Sequence, residues 1–390
     1  MNISLKSSMN VVACLFVSVC ASAPAIAQVQ AQDLNQNQAG LLNKQSMDLG
    51  NSKGGGKAQV NLKNINQSQA GLLNSQELSI GNADKGGKSN VNLGNVKQGQ
   101  AGLLNKQKMA IGNAGQGKSD VLSGPVMQGQ AGLLNSQDMN LGSVSGNGSS
   151  KVRTGAVMQG QAGLLNKQNM NVGGSSGSGK SNVAAGAILQ GQAGLLNSQN
   201  MNVGGASGNG QSNVAAGAVV QGQAGLLQRQ NMEIGKSSGS GKSNVAVGAV
   251  LQGQAGLLNN QDMKIGNASG NGKSNVAVGA VVQGQAGLLN NQQLEVGNSS
   301  GNGKSNVAVG AIVQAQGGLL QNQQAKIGNA SNGTANVAVG AVVQAQGGLL
   351  NSQQVNVGNA NSGSTNVVAG AIVQGQGGML GVQKVNIGNN

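Results

Sequence analysis

Few side chains in this sequence are of a type that could do chemistry, and the most suggestive ones lie in glycine-rich segments. Gly112–Ser119 and Gly174–Ser181 match the phosphate-loop pattern Gly-x-x-x-x-Gly-Lys-Ser. In nucleotide-binding proteins this loop follows a buried strand and opens a helix whose N-terminus holds the phosphates. No helical pattern follows either segment. We therefore attribute the match to Gly- and Ser-rich composition and predict no nucleotide site.

Lysines recur at one position of the same loops, with Gln211 in the series. A row of this kind is either a cationic stripe that binds an acidic polysaccharide or a membrane, or a set of solvated charges that limits sideways aggregation. The sequence leaves both interpretations open. The lysines of this predicted stripe are Lys180, Lys242, Lys273 and Lys304.

Side chains that usually catalyse reactions are scarce. The chain has no histidine, and its two cysteines, Cys14 and Cys20, lie close to the N-terminus. Acidic residues occur at most about once per repeat, and no repeat has a distinctive set of them. Because nucleophilic, acid–base and metal-assisted catalysis need such a set, we predict a non-enzymatic protein without cofactor or metal. The acidic residues considered are Asp48, Glu77, Asp138, Glu233, Asp262 and Glu295.

The N-terminal residues have the layout of a secretory signal peptide. Lys6 precedes an apolar run over residues 11–20, and the small-residue site Ala25-Ile26-Ala27 follows. This pattern predicts that residues 1–27 are removed by cleavage before Gln28. We expect a bacterial protein that passes through the periplasm and is secreted to the extracellular space or the cell surface.

The net charge is positive, but charged residues are few. The formal net charge is +14, yet only 8% of the residues are charged and none of the lysines form a long block. Beyond the predicted signal peptide, which holds Phe16, there are no aromatic side chains on which bases could stack. We therefore expect no nucleic-acid partner.

A repeat of 30 or 31 residues dominates the remaining chain and predicts one repetitive fold. We divide the chain into the signal peptide at 1–27, more polar and divergent repeats at 28–127, and regular repeats at 128–390. The repeat is marked by the first Gln of Gln-Ala-Gly-Leu-Leu or its Gln-Gly-Gly variant, at Gln38, Gln69, Gln100, Gln130, Gln161, Gln192, Gln223, Gln254, Gln285, Gln316, Gln346 and Gln376.

Apolar residues alternate with small or polar ones within each repeat, which is the pattern of half-buried strands. Stacking one coil per repeat gives an all-β fold, a repetitive β-solenoid of about twelve 30–31-residue rungs. The pattern does not decide between two and three strands per coil. The predicted core row of one repeat is Val245, Val247, Leu251, Leu257, Met263 and Ile265.

The two ends of the repeat array differ from its middle. Aligned on the marker, Asn95 and Lys97 fall in the predicted core row, as do Asn64 and Asn66 one repeat earlier. We expect these N-terminal rungs to be less stable or to act as a polar cap. The last repeat carries no capping segment, which suggests that its backbone edge pairs with something.

Amide side chains recur at fixed positions near the predicted strand ends. We expect Gln252, Gln254, Asn259 and Gln261 to lie at corners of the coil and to form amide ladders with their counterparts. In this composition and regular spacing the chain resembles the fibre subunits of bacterial functional amyloids, the curli and Fap-type systems, although it does not share their motif. The resemblance implies an extracellular, self-assembling matrix fibre.

The leading hypothesis is therefore a secreted structural repeat protein that polymerises by β-edge pairing for biofilm matrix, adhesion or surface coating. Its main partner is a further copy of itself, with a secretion or nucleator protein and an anionic polysaccharide as additional candidates. The alternative is a monomeric β-solenoid rod that recognises a polysaccharide or ice. A largely disordered matrix protein is disfavoured by the strict alternation.

Overall fold

The computed structural model describes residues 15–21 and 26–388. Strands make up 77% of the chain, and the described residues form no helix and therefore none that could span a membrane. The protein is a parallel β-solenoid of about 11 turns of about 31 residues, which confirms the predicted fold class. The chain divides into two compact units, unit 1 ending at Leu195 and unit 2 beginning at Leu196.

Unit 1 begins with a strand of 7 residues, which is followed by two strands that run through almost a whole turn. Most of its later turns have a longer and a shorter strand. Each strand pairs in parallel with its counterpart one turn later. The strands are β1 (Leu15–Ala21), β2 (Ile26–Ser52), β3 (Lys57–Ile80), β4 (Lys88–Ala101), β5 (Leu104–Ile111), β6 (Lys118–Ser123), β7 (Val126–Ala131), β8 (Leu134–Leu141), β9 (Ser149–Ala162), β10 (Leu165–Val172) and β11 (Lys180–Ala193).

Unit 2 repeats a strand of 14 residues and a strand of 8 residues, joined later by a third strand of two residues. The strands are β12 (Leu196–Val203), β13 (Gln211–Ala224), β14 (Leu227–Ile234), β15 (Lys242–Ala255), β16 (Leu258–Ile265), β17 (Lys273–Ala286), β18 (Leu289–Val296), β19 (Ser299–Ser300), β20 (Lys304–Gly317), β21 (Leu320–Ile327), β22 (Ala330–Ser331), β23 (Thr334–Gly347), β24 (Leu350–Val357), β25 (Ala360–Asn361), β26 (Ser364–Gly377) and β27 (Leu380–Ile387).

Like residues stack on like residues from one turn to the next. Val245 of β15 pairs with Val276 of β17, and Met263 of β16 pairs with Leu294 of β18. The apolar interior rows are therefore continuous columns, mostly of valine, isoleucine, leucine and methionine. Burial of these columns is the main apolar contribution to stability, because the core of the described residues contains no aromatic side chain.

The 14-residue strand turns a corner in its middle, at Gly248 and Ala249. Both residues lie outside the core, and the strand pairing skips Gly248. A Cβ at Gly248 would clash with the carbonyl oxygen of Gly217 in the turn before, so this turn requires glycine at the corner as it is built. Because two successive residues face outward there, the inward and outward positions exchange after the corner.

This exchange corrects part of the predicted core row. Val245, Val247, Met263 and Ile265 are buried, as expected. Leu251 and Leu257, which we expected inside, are 40% and 44% exposed, and Val250 is fully buried instead. Leu251 follows the Gly248 corner, whereas Leu257 lies at a second corner beside Gly256, where two consecutive leucines face outward.

The same exchange changes the interpretation of the N-terminal repeats. Asn95 and Lys97 are exposed, and Val96 fills the core between them. One turn earlier, Ile65 is buried between Asn64 and Asn66. The polar residues that we expected to weaken the interior therefore lie outside it, and the apolar column continues through these turns.

Each turn closes at a glycine after the 8-residue strand. Gly266 has a φ of +67°, a left-handed conformation that favours glycine, and a Cβ there would clash with Val307. Ala268 then makes parallel bridges to Ser237 and Ser299 in the neighbouring turns. The coil thus has three main sides, from Lys242 to Val247, from Ala249 to Ala255 and from Leu258 to Ile265, and a short fourth side at Ala268.

Candidate assembly ladders and surface columns

The four predicted ladder residues point into the interior of the coil; Gln252, Gln254 and Gln261 lie within its sides, and only Asn259 lies at a corner. Gln252, Gln254, Asn259 and Gln261 are at most 5% exposed. Alternation places all four on the inward side of β15 and β16. Their predicted contribution to assembly between molecules stays a prediction, whereas their position inside the fold is a correction.

Each of these glutamines bonds to the same residue of the preceding turn. Gln261 Nε2 donates to Gln230 Oε1 at 2.8 Å, and Gln292 Nε2 donates to Gln261 Oε1 at 2.8 Å. Gln252 and Gln254 donate in the same sense to Gln221 and Gln223, both at 2.9 Å. A buried amide costs free energy unless its groups are paired, and the ladder pairs them along the axis.

Asn259 fixes the corner between the second and third sides. Its Nδ2 donates to the carbonyl oxygens of Gly256 at 3.2 Å and Ala286 at 2.9 Å, and to Asn290 Oδ1 at 2.9 Å. Gln254 Nε2 also lies 3.4 Å from the carbonyl oxygen of Asn260. These side chains add hydrogen bonds to backbone carbonyls at the corner, where the Ala286 oxygen also accepts from Gly256 N at 2.9 Å.

The rung formed by β26 and β27 has strand neighbours on one side only among the described residues, β23 and β24 respectively. Its inward residues are consequently uncovered. Val385 and Ile387 are 44% and 63% exposed, although their counterparts Val355 and Val357 are buried. We call the uncovered side of β26 and β27 the terminal edge.

Pairs of leucines form two exposed columns on the second corner of unit 2. We call them the leucine rows; in five successive turns, each leucine is 41–46% exposed. A groove of about 970 Å³ runs between the row of Leu258 and the neighbouring row of Asn260. The leucine rows consist of Leu226, Leu227, Leu257, Leu258, Leu288, Leu289, Leu319, Leu320, Leu349 and Leu350.

The lysines of the predicted stripe are exposed at the first residue of the longer strands. In unit 2, Lys242, Lys273 and Lys304 stack in register on consecutive turns, and we call them the lysine column. Lys180 begins β11 of unit 1, where it pairs with Ser149. Sequence reasoning missed that Lys57, Lys88 and Lys118 occupy this position in unit 1, although their constant distance from the repeat marker was a usable signal.

A second set of charged residues lies on the outward side of the 8-residue strands. Glu233, Lys264, Glu295 and Lys326 stack in register on consecutive turns with alternating sign, and we call them the alternating column. Lys326 Nζ lies 3.8 Å from Glu295, and Lys264 Nζ lies 3.5 Å from Asp262 beside it. These four residues lie one repeat apart in the sequence, and this spacing could have predicted the column. The column was not identified from the sequence.

Two groups at this column have shifted pKa values. Burial raises the pKa of Asp262, the nearby Lys264 partly offsets that effect, and Glu295 and Glu233 add to it. Burial alone would lower the pKa of Lys264, but the charges of Asp262, Glu295 and Glu233 outweigh it and raise that pKa. The alternating column is therefore compensated within the molecule.

The two phosphate-loop matches run from a glycine corner into a strand. Gly112 has a φ of +66° at the corner, while Lys118 and Ser119 begin β6. Ser119 Oγ donates to the carbonyl oxygen of Gly81 at 2.5 Å, which places this hydroxyl inside the coil. Gly174–Ser181 likewise ends in β11. In the described part of the chain, no three acidic, cysteine or histidine side chains form a group that could hold a metal.

No protein-family model, curated protein or solved structure matches this chain.

Proposed function

We propose that the mature chain is a secreted, non-enzymatic structural protein that assembles with further copies into an extracellular fibre or matrix by β-edge pairing. The observation that carries the proposal is the agreement between the terminal edge and the first turn of β2. Six inward positions of the terminal rung carry the same types of side chain as the corresponding positions of β2, in the same order. A second copy could therefore continue these six interior columns.

The agreement holds on both long strands of the rung, although Gly381 interrupts the inward asparagine column between them. The terminal rung presents the inward residues Ile372, Gln374, Gln376, Gln383, Val385 and Ile387, and β2 presents the corresponding residues Leu34, Gln36, Gln38, Gln45, Met47 and Leu49. Pairing would place apolar side chains on apolar ones and amides on amides. It would also give the unpaired backbone edge a full set of parallel strand bonds.

The hydrogen bonding of Gln36 in β2 supports pairing of the terminal edge of one copy with β2 of the next copy. Gln36 Nε2 is buried without a hydrogen-bond partner, whereas its Oε1 accepts from Gln67 at 2.8 Å. Gln374 Nε2 donates to Gln344 Oε1 at 2.9 Å, which leaves the Gln374 oxygen on the terminal edge. The oxygen of one copy could accept the donor of the next. The same column is interrupted once elsewhere, between Gln67 and Gln98.

The predicted signal peptide bears on when this pairing could occur. β1 lies within the predicted leader and pairs in parallel with Gln45–Ser52 of β2. Cleavage before Gln28 would remove β1 and uncover that part of the first turn. We therefore expect the uncleaved precursor to assemble more slowly than the mature chain.

The leucine rows provide a second contact for the same kind of partner, another copy of this chain. Full burial of a leucine corresponds to an area on the order of 100 Å², so the ten half-exposed leucines present roughly 400 Å² of apolar surface. That is about half of what each partner buries in a standard interface. Single chains would associate weakly through it, but polymers would repeat the contact and bundle.

A matched pair of substitutions in β27 tests the proposal. Val385→Lys would place a charge in the inward row of the terminal edge, where a further rung would have to bury it. Val382→Lys would place the same charge three residues away in the outward row, and Val382 is already 65% exposed. We expect V385K to slow fibre growth of the mature chain at least tenfold, measured by thioflavin fluorescence and electron microscopy.

The control variant V382K should polymerise at nearly the wild-type rate, and circular dichroism should show the same β signal in all three proteins. Equal growth of V385K and wild type would refute edge pairing at β27. Failure of the wild-type mature chain to form fibrils at any concentration would refute self-assembly itself.

The mechanism also calls for a partner that starts the first fibre. A secretion or nucleator protein that presents a compatible β-edge would lower the concentration at which growth begins. The proposed fibre is in line with the resemblance to functional-amyloid subunits. It would form part of a biofilm matrix, mediate adhesion or coat the cell surface.

The alternative function is a monomeric rod that binds a polysaccharide or ice. An exposed asparagine column favours it, because Asn275 Nδ2 donates to Asn244 Oδ1 and Asn306 Nδ2 to Asn275 Oδ1, both at 2.8 Å, on one regular face. Thermal hysteresis or glycan binding by a stable monomer that forms no fibrils would support this alternative.

A further inference from the structure

The two charged columns of unit 2 differ in whether neighbouring turns compensate their charges. In the alternating column each cation has a carboxylate on a neighbouring turn. In the lysine column, Lys273 is stacked between Lys242 and Lys304. Like charges directly opposite each other on paired strands are destabilising. The fold therefore neutralises one column internally and leaves the other as a run of like charges.

The face around the lysine column contains no compensating acid. The outward residues of the first side in unit 2 form rows of lysine, asparagine and alanine, represented by Lys273, Asn275 and Ala277. All three acidic residues of unit 2, Glu233, Asp262 and Glu295, are on the 8-residue strands of the third side. Within the described residues, no carboxylate makes an ion pair with the lysine column.

We propose that the lysine column and the adjoining asparagine column bind a linear acidic polysaccharide that lies along the solenoid axis. The strand spacing of about 4.8 Å sets the interval between neighbouring cations. A polymer with a carboxylate on its sugars brings negative charges to such a row, and its hydroxyl groups can exchange hydrogen bonds with exposed amides. Binding would relieve the repulsion that the stacked lysines create.

The chemistry of the face favours a polysaccharide over a nucleic acid. Non-specific binding of single-stranded nucleic acids combines a cationic groove with aromatic side chains that stack on bases. This face is built from alanine, asparagine and lysine on a strand surface, and the sequence has no aromatic residue after Phe16. The amides offer donors and acceptors at every turn, which suits a polymer with many hydroxyl groups.

The same position in unit 1 supports the assignment. Lys57, Lys88 and Lys118 stack in register on consecutive turns and are exposed. Only there does the neighbouring outward row include an acid, Asp120. Two separate runs of three stacked lysines thus occur at one position of the repeat, and the run in unit 2 has the face without acids.

The test measures binding of the mature full-length chain, kept below the concentration at which it assembles, to immobilised polygalacturonate. The triple variant K242Q/K273Q/K304Q removes the column without altering the core. We expect it to weaken binding at least tenfold and to lower the dependence of affinity on salt, because fewer counterions are released from the polymer.

A matched triple variant controls for net charge. Lys44, Lys106 and Lys167 are exposed and share one position, but serines separate them on alternate turns. K44Q/K106Q/K167Q removes the same charge without removing three adjacent cations, and we expect its affinity to change less than twofold. Neutral dextran serves as the uncharged probe and should not bind.

The proposal would be overturned by equal weakening by the two triple variants, by no binding of polygalacturonate by the wild-type chain, or by binding of DNA or anionic lipid vesicles at least as tight as that of polygalacturonate. Faster clumping of K242Q/K273Q/K304Q with undiminished polygalacturonate binding would show instead that the lysines act against aggregation. None of these results depends on fibre formation, so the proposed function is tested separately.

Discussion

The inward and outward amide columns of unit 2 have the same hydrogen-bond geometry but very different surroundings. Gln261 bonds to Gln230 at 2.8 Å in the interior, and Asn275 bonds to Asn244 at 2.8 Å on the exposed face. The inner position is glutamine in every repeat, whereas Asp120 and Lys151 occupy the outer position in unit 1. Water can replace a lost partner outside but not inside. Burial therefore determines where the repeat tolerates change.

The largest effect that would sharpen this comparison is the loss of an inner amide. Gln261→Leu keeps a similar volume but leaves Gln230 Oε1 and Gln292 Nε2 without their partners. We expect a loss of about 2–4 kcal/mol in the free energy of unfolding, because each unsatisfied buried group costs about 1–3 kcal/mol. Urea denaturation followed by circular dichroism measures it.

The outer counterpart Asn275→Ala should cost less than about 1 kcal/mol in the same experiment, since its neighbours remain in contact with water. Similar losses for Q261L and N275A would contradict the distinction between inner and outer columns.

A smaller effect tests the exchange of inward and outward positions after the Gly248 corner. Val250→Ala should lower the free energy of unfolding by about 2 kcal/mol, because it opens a cavity in a fully buried row. Leu251→Ala should change it by less than about 0.5 kcal/mol, since that side chain lies on the surface. A larger loss of stability for L251A than for V250A would show that Leu251 faces inward, as the sequence predicted.

The smallest effect concerns Asp262, an outward acid beside the alternating column. Burial raises the pKa of its carboxyl, so the folded chain holds this proton to a higher pH than the unfolded chain does. Its contribution to stability is therefore complete below about pH 4 and is lost as pH rises through the folded pKa. Asp262→Asn replaces the ionisable carboxyl by an amide and therefore removes this pH-dependent loss of stability.

We expect D262N to be a few tenths of a kcal/mol more stable than wild type at pH 7, since ion pairs near the surface contribute little. The measurement compares urea midpoints of the two proteins between pH 4 and pH 7. Destabilisation of D262N that grows over this range would show that the ion pair with Lys264 dominates.

The sequence was sufficient to predict the parallel solenoid and the interior positions of Val245, Val247, Met263 and Ile265. Strict spacing carries this information, because every turn repeats the same alternation. It could not place Val250 and Leu251, since both are apolar and only the corner at Gly248 decides which one faces inward. Alternation identifies the two faces of a strand but does not locate the bends that exchange them.

The amide columns show a second limit of sequence reasoning. Glutamine is usually exposed, so Gln252 and Gln261 were expected at corners. Their burial becomes favourable only when each amide has an identical partner in the next turn. The charged columns required a different step, the alignment of all repeats by position, which would have joined Lys57 to Lys88 and Glu233 to Lys264.

Electron microscopy of the purified mature chain, residues 28–390, tests self-assembly by edge pairing most directly when fibre diffraction is recorded from the same sample. The account predicts unbranched filaments with a reflection at about 4.7–4.8 Å along the filament axis. A stable population of single molecules at high concentration, without filaments, would contradict it.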